Sequence, residues 1–319
     1  MTRKINTPLG PKVVLISPNA TLDLIYQGND YDFSSKFFYD TFAMHAGGSG
    51  INVARALARM NIDSMVYTVL GGGTGDMAHR LLQEEELTVH ATRGEAPTRT
   101  TAIQYQATGK MMAVSPTPRF TLKEMEDLAT AAKEDLETAD LVFFGGSFPE
   151  DRALQEVITS LLSPASARLV IDTRGKIMAS LMNFPLLCAK ADLSDLSGED
   201  SQAVGEATAT SWWLSMKAPY VSLVCTEGKD RIYGMFDGDV HMFDQFGDPA
   251  LRPYGRGDAF MAGILFGLLA GVDYGRVVQL GVLAGNCCGA VEAGMGSLDG
   301  ARFLNQARML LPERQKAQT

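Results

Sequence analysis

Three short stretches of this chain carry residue types that could hold an anion and move a proton. The first is Tyr254-Gly255-Arg256-Gly257-Asp258-Ala259-Phe260, which follows a loop and opens an apolar helix. Its two glycines allow a tight turn that points successive backbone N–H groups outward at a helix N-terminus, where the helix dipole also favours negative charge. Asp258 could accept a proton from an attacking hydroxyl there, while the N–H groups of Gly255, Arg256 and Gly257 hold developing phosphoryl charge. The plainer reading is that Asp258 only favours its own helix start.

The second stretch is Ala46-Gly47-Gly48-Ser49-Gly50-Ile51-Asn52-Val53-Ala54-Arg55. Small residues ahead of a helix let the backbone approach a ligand closely. Asn52, in the first turn, can donate and accept, which suits sugar hydroxyls; the alternative is a glycine-rich turn capped by Ser49. The third is Asn19-Ala20-Thr21-Leu22-Asp23, just after a first strand. Ligands of parallel α/β sheets bind outside the carboxyl ends of the strands, so Asp23 would meet sugar hydroxyls unless it merely closes an Asx-type turn. A rival lies in Gly73-Thr74-Gly75-Asp76-Met77-Ala78, which fits a loose dinucleotide fingerprint with Glu95 further on as the ribose ligand. It is not in the first βα unit. No Walker A motif, no G-x-S-x-G elbow and no metal spacing among the four histidines occur.

Elements of regular type must position these residues. The continuous apolar run Val13-Val14-Leu15-Ile16 predicts a buried strand over 12–17, with 50–60 a helix, 65–70 a strand and 76–86 a helix; 99–107 and 110–114 form a hairpin around Thr108-Gly109. From there helices at 121–134, 151–162, 176–183 and 201–216 alternate with strands at 140–144, 168–172 and 220–225, with an apolar run at 186–193. A hairpin at 231–244 and helices at 258–270, 274–292 and 299–311 complete the chain. Such alternation predicts an α/β fold, a doubly wound and mostly parallel sheet with helices on both faces. The β-rich pieces at about 24–45 and 99–115 interrupt it and could pair as a small β-sheet lid on a single domain spanning 1–319.

Composition narrows the classes. At 46% hydrophobic and 20% charged over 319 residues, the chain is globular rather than disordered or fibrous. A net charge of −9 argues against a general nucleic-acid binder, although a local basic or backbone site can still hold a small anion. The four cysteines (188, 225, 287, 288) form no disulfide framework. No signal peptide or membrane-length apolar run is visible, so a soluble cytoplasmic protein is expected.

In this order, the three stretches and the β interruptions resemble the ribokinase-like (PfkB) carbohydrate kinase family over about 12–310. The likeness is greatest to its branch of 1-phosphofructokinases and tagatose-6-phosphate kinases. Asn19-Ala20-Thr21-Leu22-Asp23 is similar to N-P-A-L-D, Gly47 to Arg55 to G-G-x-G-I-N-V-A-R, Gly146-Ser147-Phe148-Pro149 to G-S-L-P, Asp172-Thr173-Arg174-Gly175 to D-T-S-G, and Gly255-Arg256-Gly257-Asp258 to G-A-G-D. The resemblance implies a Rossmann-like ribokinase fold with a β lid, Mg²⁺ and ATP, and transfer of the γ-phosphoryl group to a sugar hydroxyl. It implies Asp258 as base with 255–257 as anion hole. It places Asp23, Lys36, Gly48, Ser49, Asn52, Arg99 and Ser147 around a sugar or sugar phosphate, with Arg99 on its phosphate. Thr226, Gly228 and Asn286 fall on the nucleotide side. Relatives often dimerise through the lid sheet, and the aromatic-rich segment 31–42 could be such a surface or could equally pack on its own domain.

The departures cluster on the donor side. The N-x-x-E that organises metal and phosphates aligns with Leu196-Ser197-Gly198-Glu199, which keeps only Glu199 as a metal-side acid. Glu227 stands where the nucleotide loop has a glycine, and Arg256 replaces the alanine of G-A-G-D. Arg256 could offset Glu227 and support a modified ATP site. Otherwise the chain is a sugar-phosphate-binding relative with little kinase activity; an unphosphorylated sugar or a nucleoside as acceptor also stays open.

Overall fold

The structure, a computed structural model, describes residues 13–28, 38–106, 109–192, 222–227, 231–236, 238–243, 254–288 and 298–312. The first strand, β1 (Val13–Asn19), is buried along its whole length. Its side chains alternate between two cores: Val13 and Leu15 face one, Val14 and Ile16 the other. That double burial is why the sequence here reads as an unbroken apolar run.

β2 (Thr21–Gln27) follows after Ala20 alone, and β3 (Thr41–Gly47) returns antiparallel to it. Then come α1 (Ser49–Arg59), β4 (Ser64–Gly71), α2 (Gly72–Glu84), β5 (Val89–Gly94) and the antiparallel pair β6 (Arg99–Gln106) and β7 (Gly109–Val114). The next units are α3 (Leu122–Thr138), β8 (Leu141–Gly145), α4 (Arg152–Leu162), β9 (Leu169–Asp172), α5 (Gly175–Leu181) and β10 (Cys188–Asp192). After β11 (Ser222–Glu227), β12 (Arg231–Phe236) and β13 (Asp239–Phe243) the chain closes with α6 (Arg256–Leu269), α7 (Tyr274–Asn286) and α8 (Gly300–Ala307).

The large sheet has the order β13-β12-β11-β10-β9-β8-β1-β4-β5, parallel except at β12 and β13. α1, α2 and α6 to α8 cover one face; α3, α4 and α5 cover the other. From β1 the chain builds outward through β4 and β5 on one side and later through β8 to β11 on the other. The switch in direction therefore opens a crevice between β1 and β8. The small sheet has the order β3-β2-β6-β7, with β2 and β6 parallel. It uses the 99–114 hairpin and both ends of the first β-rich segment; the middle of that segment, 29–37, lies outside the described residues, as does the helix expected at 201–216.

Three expectations shift. Asp23 is not in a turn after β1 but the third residue of β2. The helix expected from 76 starts at Gly72, whose φ of 62° lets the chain turn straight out of β4. The helix expected over 274–292 ends at Asn286, and Cys288 then bridges Leu298. The earlier start of α2 also removes the dinucleotide loop. Gly73, Thr74 and Gly75 are helical, Thr74 donates to the Thr98 carbonyl at 2.7 Å, and the Glu95 backbone N–H donates to Glu124 at 2.6 Å. This glycine cluster serves close packing against 94–98: a Cβ on Gly71 would stand 2.1 Å from the Ala96 carbonyl oxygen.

Candidate active site

A cavity of about 420 Å³ lies over the crevice between β1 and β8. A larger groove of about 880 Å³ between α3 and α4 is lined by helix-surface residues, Glu126, Lys133 and Glu156 among them, and takes no residue from any strand end. The smaller cavity takes Asn19 from the end of β1, Ser147 from the turn after β8, Asp172 from β9 and Lys190 and Asp192 from β10. Arg99 and Thr101 of β6 and Met112 and Val114 of β7 add the small sheet as a wall, and Tyr254, Gly257 and Asp258 add the start of α6.

Asp258 sits in the first turn of α6, whose N-cap, Gly255, has φ 85°. That left-handed conformation favours glycine, and the helix has no side-chain cap, so its first N–H groups stay available at the end where the dipole is positive. A Cβ placed on Gly257 would meet nothing within 4 Å, so open space adjoins the turn. Gly255 and Arg256 belong to the same turn without lining the cavity. Asn52 Nδ2 donates to Asp258 Oδ2 at 2.8 Å, and the Ser49 hydroxyl also bonds this carboxylate. Burial raises the Asp258 pKa to about 6, with Asp172 adding to the rise; Asn52, Ser49 and Lys190 work against it.

The expected substrate side divides in two. Gly48 (φ 106°) caps α1 and, with Ser49, lines the cavity. Asn52, expected to meet sugar hydroxyls, is 1% exposed; its amide oxygen is taken by Arg55 Nη1 at 2.7 Å and its amide nitrogen by Asp258. Asp23 is 0% exposed. Thr21 donates to its Oδ1 at 2.8 Å, whereas the buried Oδ2 has no hydrogen bond. Burial raises this pKa to about 6, opposed by the Thr21 and Thr101 hydroxyls and by Arg55 and Arg99.

Ser147 Oγ accepts from Asn19 Nδ2 at 2.7 Å and from Arg99 Nη1 at 3.2 Å, which leaves its own proton to donate elsewhere. Arg99 and Arg174 share the cavity, and among the described residues neither is in an ion pair. Arg99 Nε is buried without a partner, and burial lowers the Arg99 pKa, with the Arg174 charge pushing the same way. Two cations of like charge facing one space suit an anion between them.

On the other flank, Lys190 Nζ pairs with Asp172 Oδ1 at 3.0 Å. Burial disfavours the ammonium, but Asp172, Asp258 and Asp192 together outweigh it and hold the pKa above its ordinary value. Thr226 reaches this flank through Asp192, donating to Oδ2 at 3.4 Å. Asn286 closes α7 and does not line the cavity. Lys36, Glu199 and Gly228 lie outside the described residues, and so does the Glu227 side chain.

Sequence reasoning passed over Lys190, Asp192 and Tyr254. A lysine inside an otherwise apolar run, followed by an acid at the strand's end, was the available signal for the first two. Tyr254 stood in the quoted turn without a role. Its backbone N–H donates to the Tyr105 hydroxyl of β6 at 3.2 Å, which ties the turn to the small sheet. Burial, then Asp23 and Asp258, raise the pKa of its phenol.

Among known proteins, the model described as pfkB family carbohydrate kinase matches residues 28–296. A 1-phosphofructokinase of Bacillus subtilis is 24% identical, covering 94% of this chain and 98% of its own. An ATP-dependent 6-phosphofructokinase isozyme 2 of Mycobacterium tuberculosis is 24% identical, over 86% and 83%. In structure, phosphofructokinase-2 of Escherichia coli in complex with fructose-6-phosphate aligns with TM-score 0.77 at 19% identity, covering 94% of this chain and 99% of that one. A possible 1-phosphofructokinase of Thermotoga maritima aligns with TM-score 0.76 at 17% identity, over 86% and 91%. Among the described residues no helix is long and apolar enough to cross a membrane.

Proposed function

The chain belongs to the pfkB family of carbohydrate kinases, and from that membership we propose that it transfers the γ-phosphoryl group of ATP to a hydroxyl of a sugar phosphate of the fructose 1-phosphate or tagatose 6-phosphate type. The observation that carries this reading is that one cavity is lined both by Asp258, at the uncapped start of α6, and by the guanidinium pair Arg99 and Arg174. The first is suited to reaction at a hydroxyl, the second to an anionic group elsewhere on the same molecule.

In the reaction the acceptor oxygen bonds to the γ-phosphorus and its proton passes to Asp258. The bond from that phosphorus to the bridging oxygen breaks, and ADP leaves with the electron pair. The uncapped start of α6, where Gly257 lines the cavity, would hold the charge on the transferring group, and Lys190 adds a cation to the same cavity. Arg99 and Arg174 fix the substrate phosphate. Asn19 and Ser147, which line the cavity, would meet sugar hydroxyls, whereas Asp23 is fully buried and does not line it. Mg²⁺ accompanying the nucleotide would neutralise phosphate charge. Asp192, at the cavity end of β10, is the described carboxylate that fits it, since this ion is commonly held by about one or two carboxylates together with phosphates.

The test is a coupled assay with MgATP against a panel of sugars and sugar phosphates, run beside Asp258→Asn. Turnover of one sugar phosphate is expected, with kcat at least ~100-fold lower in the variant and KM changed much less. Tight sugar-phosphate binding without turnover would make the chain a binding protein. Unchanged turnover in the variant would remove Asp258 from the chemistry.

A further inference from the structure

Behind Asp258 a line of polar groups runs out of the cavity through α1 to the end of α2. Asn52 Nδ2 meets Asp258 at 2.8 Å, and Arg55 Nη1 meets Asn52 Oδ1 at 2.7 Å. Arg55 Nε and Nη2 meet the two carboxylate oxygens of Glu85 at 2.5 and 2.8 Å. Nη2 also donates to the Ala46 carbonyl at 2.8 Å. Arg55 is 6% exposed, so all three nitrogens of a buried guanidinium are spent holding this line.

We infer that Arg55 and Glu85 are positioning residues for Asp258, acting through the orientation of the Asn52 amide; this rests on the reading of Asp258 as base. A side-chain amide can face either way. Were Asn52 turned over, its NH₂ would confront a guanidinium N–H and its oxygen a carboxylate, so both contacts would become repulsive. Arg55 therefore dictates that the amide shows its donor to Asp258. The bidentate Glu85 contact fixes the guanidinium plane, which a lysine, a single point donor, cannot reproduce. The result is a carboxylate with Oδ2 held by Asn52. Ser49 also bonds the carboxylate, and Asp172 and Lys190, from β9 and β10, face it from the cavity. Neither Arg55 nor Glu85 lines the cavity, so neither is a substrate ligand.

The experiment compares kcat and KM in Arg55→Lys, Glu85→Gln, Asn52→Ala and the double variant Arg55→Lys with Asn52→Ala, with Asn52 side-chain amide resonances recorded in the unliganded protein. Loss of a group that orients a catalytic side chain commonly costs ~10–100-fold. A fall of that order in kcat is expected for Arg55→Lys, with sugar-phosphate KM within about threefold, a smaller fall for Glu85→Gln, and no further loss in the double variant. The Asn52 amide protons should be distinct and shifted in the wild type and collapse toward free-amide values in Arg55→Lys. Multiplying effects in the double variant, an effect on KM alone, or unchanged Asn52 resonances would each overturn the inference. If the wild-type protein phosphorylates nothing, the proposed reaction fails, while the resonances in Glu85→Gln and Arg55→Lys still decide whether the line orients Asn52.

Discussion

Asp23 is a carboxyl buried against its own ionisation, and that has a thermodynamic consequence. Its pKa rises from 3.8 to about 6 on folding. Between those values the folded chain keeps a proton that the unfolded chain releases, so stability falls as pH rises through that window. Asp23→Asn should therefore raise the thermal midpoint of the unliganded protein at pH 8, by the equivalent of roughly 1–3 kcal/mol, and change it little at pH 4. Melting curves at the two pH values check this; an equal shift at both would mean that charge burial is not the cause. On the neighbouring strand β6 and at the start of α5, Arg99→Ala and Arg174→Ala should each weaken sugar-phosphate binding by roughly 1.5–3 kcal/mol, read by calorimetry, with ATP affinity unmoved. Equal losses for an unphosphorylated sugar would disconnect both arginines from the phosphate.

The elements explain which parts of this site could be read in advance. Stretches 46–55 and 254–260 were legible because a tight glycine turn before a helix leaves a local mark, and both turns now meet at Asp258. β5 was missed: its residues alternate little, His90, Thr92 and Arg93 are polar, and it is the edge strand of the large sheet. The partnership of Asn52 with Asp258 spans 206 residues and has no local mark at all. What brings them together is the packing of α1 on α6, and α6 is in turn set by α7. There the approach is close: a Cβ on Gly263 would stand 2.4 Å from the Leu280 carbonyl oxygen and 2.8 Å from the Ala284 Cβ. Gly263→Ala must push the helices apart, with an expected cost of about 1–3 kcal/mol on chemical denaturation and a fall in kcat because Asp258 rides on α6. Unchanged stability would show that the pair has slack.

At the scale of the molecule, the small sheet presents apolar side chains to solvent as well as to the cavity. Phe38 is 81% and Phe42 53% exposed, and Met111 on the edge strand β7 is 39% exposed. Exposed apolar groups beside a strand that, among the described residues, has no neighbour on one side are suited to cover by a second copy. We expect sedimentation to show a homodimer and Phe42→Lys with Met111→Lys to shift it toward monomer; a wild-type monomer at all concentrations would refute this. The two sheets are also joined with almost no slack. Only Ala20, 2% exposed, separates the buried strand β1 from β2 of the small sheet. A cover hung on a loop can swing while the body beneath it stays still; this one cannot. Any movement of the small sheet as the cavity fills would therefore pass into β1 as torsion, and β1 lies between β8 and β4 inside the large sheet. The amides of β1, a strand buried along its whole length, would then register in their exchange rates what occupies the surface cleft.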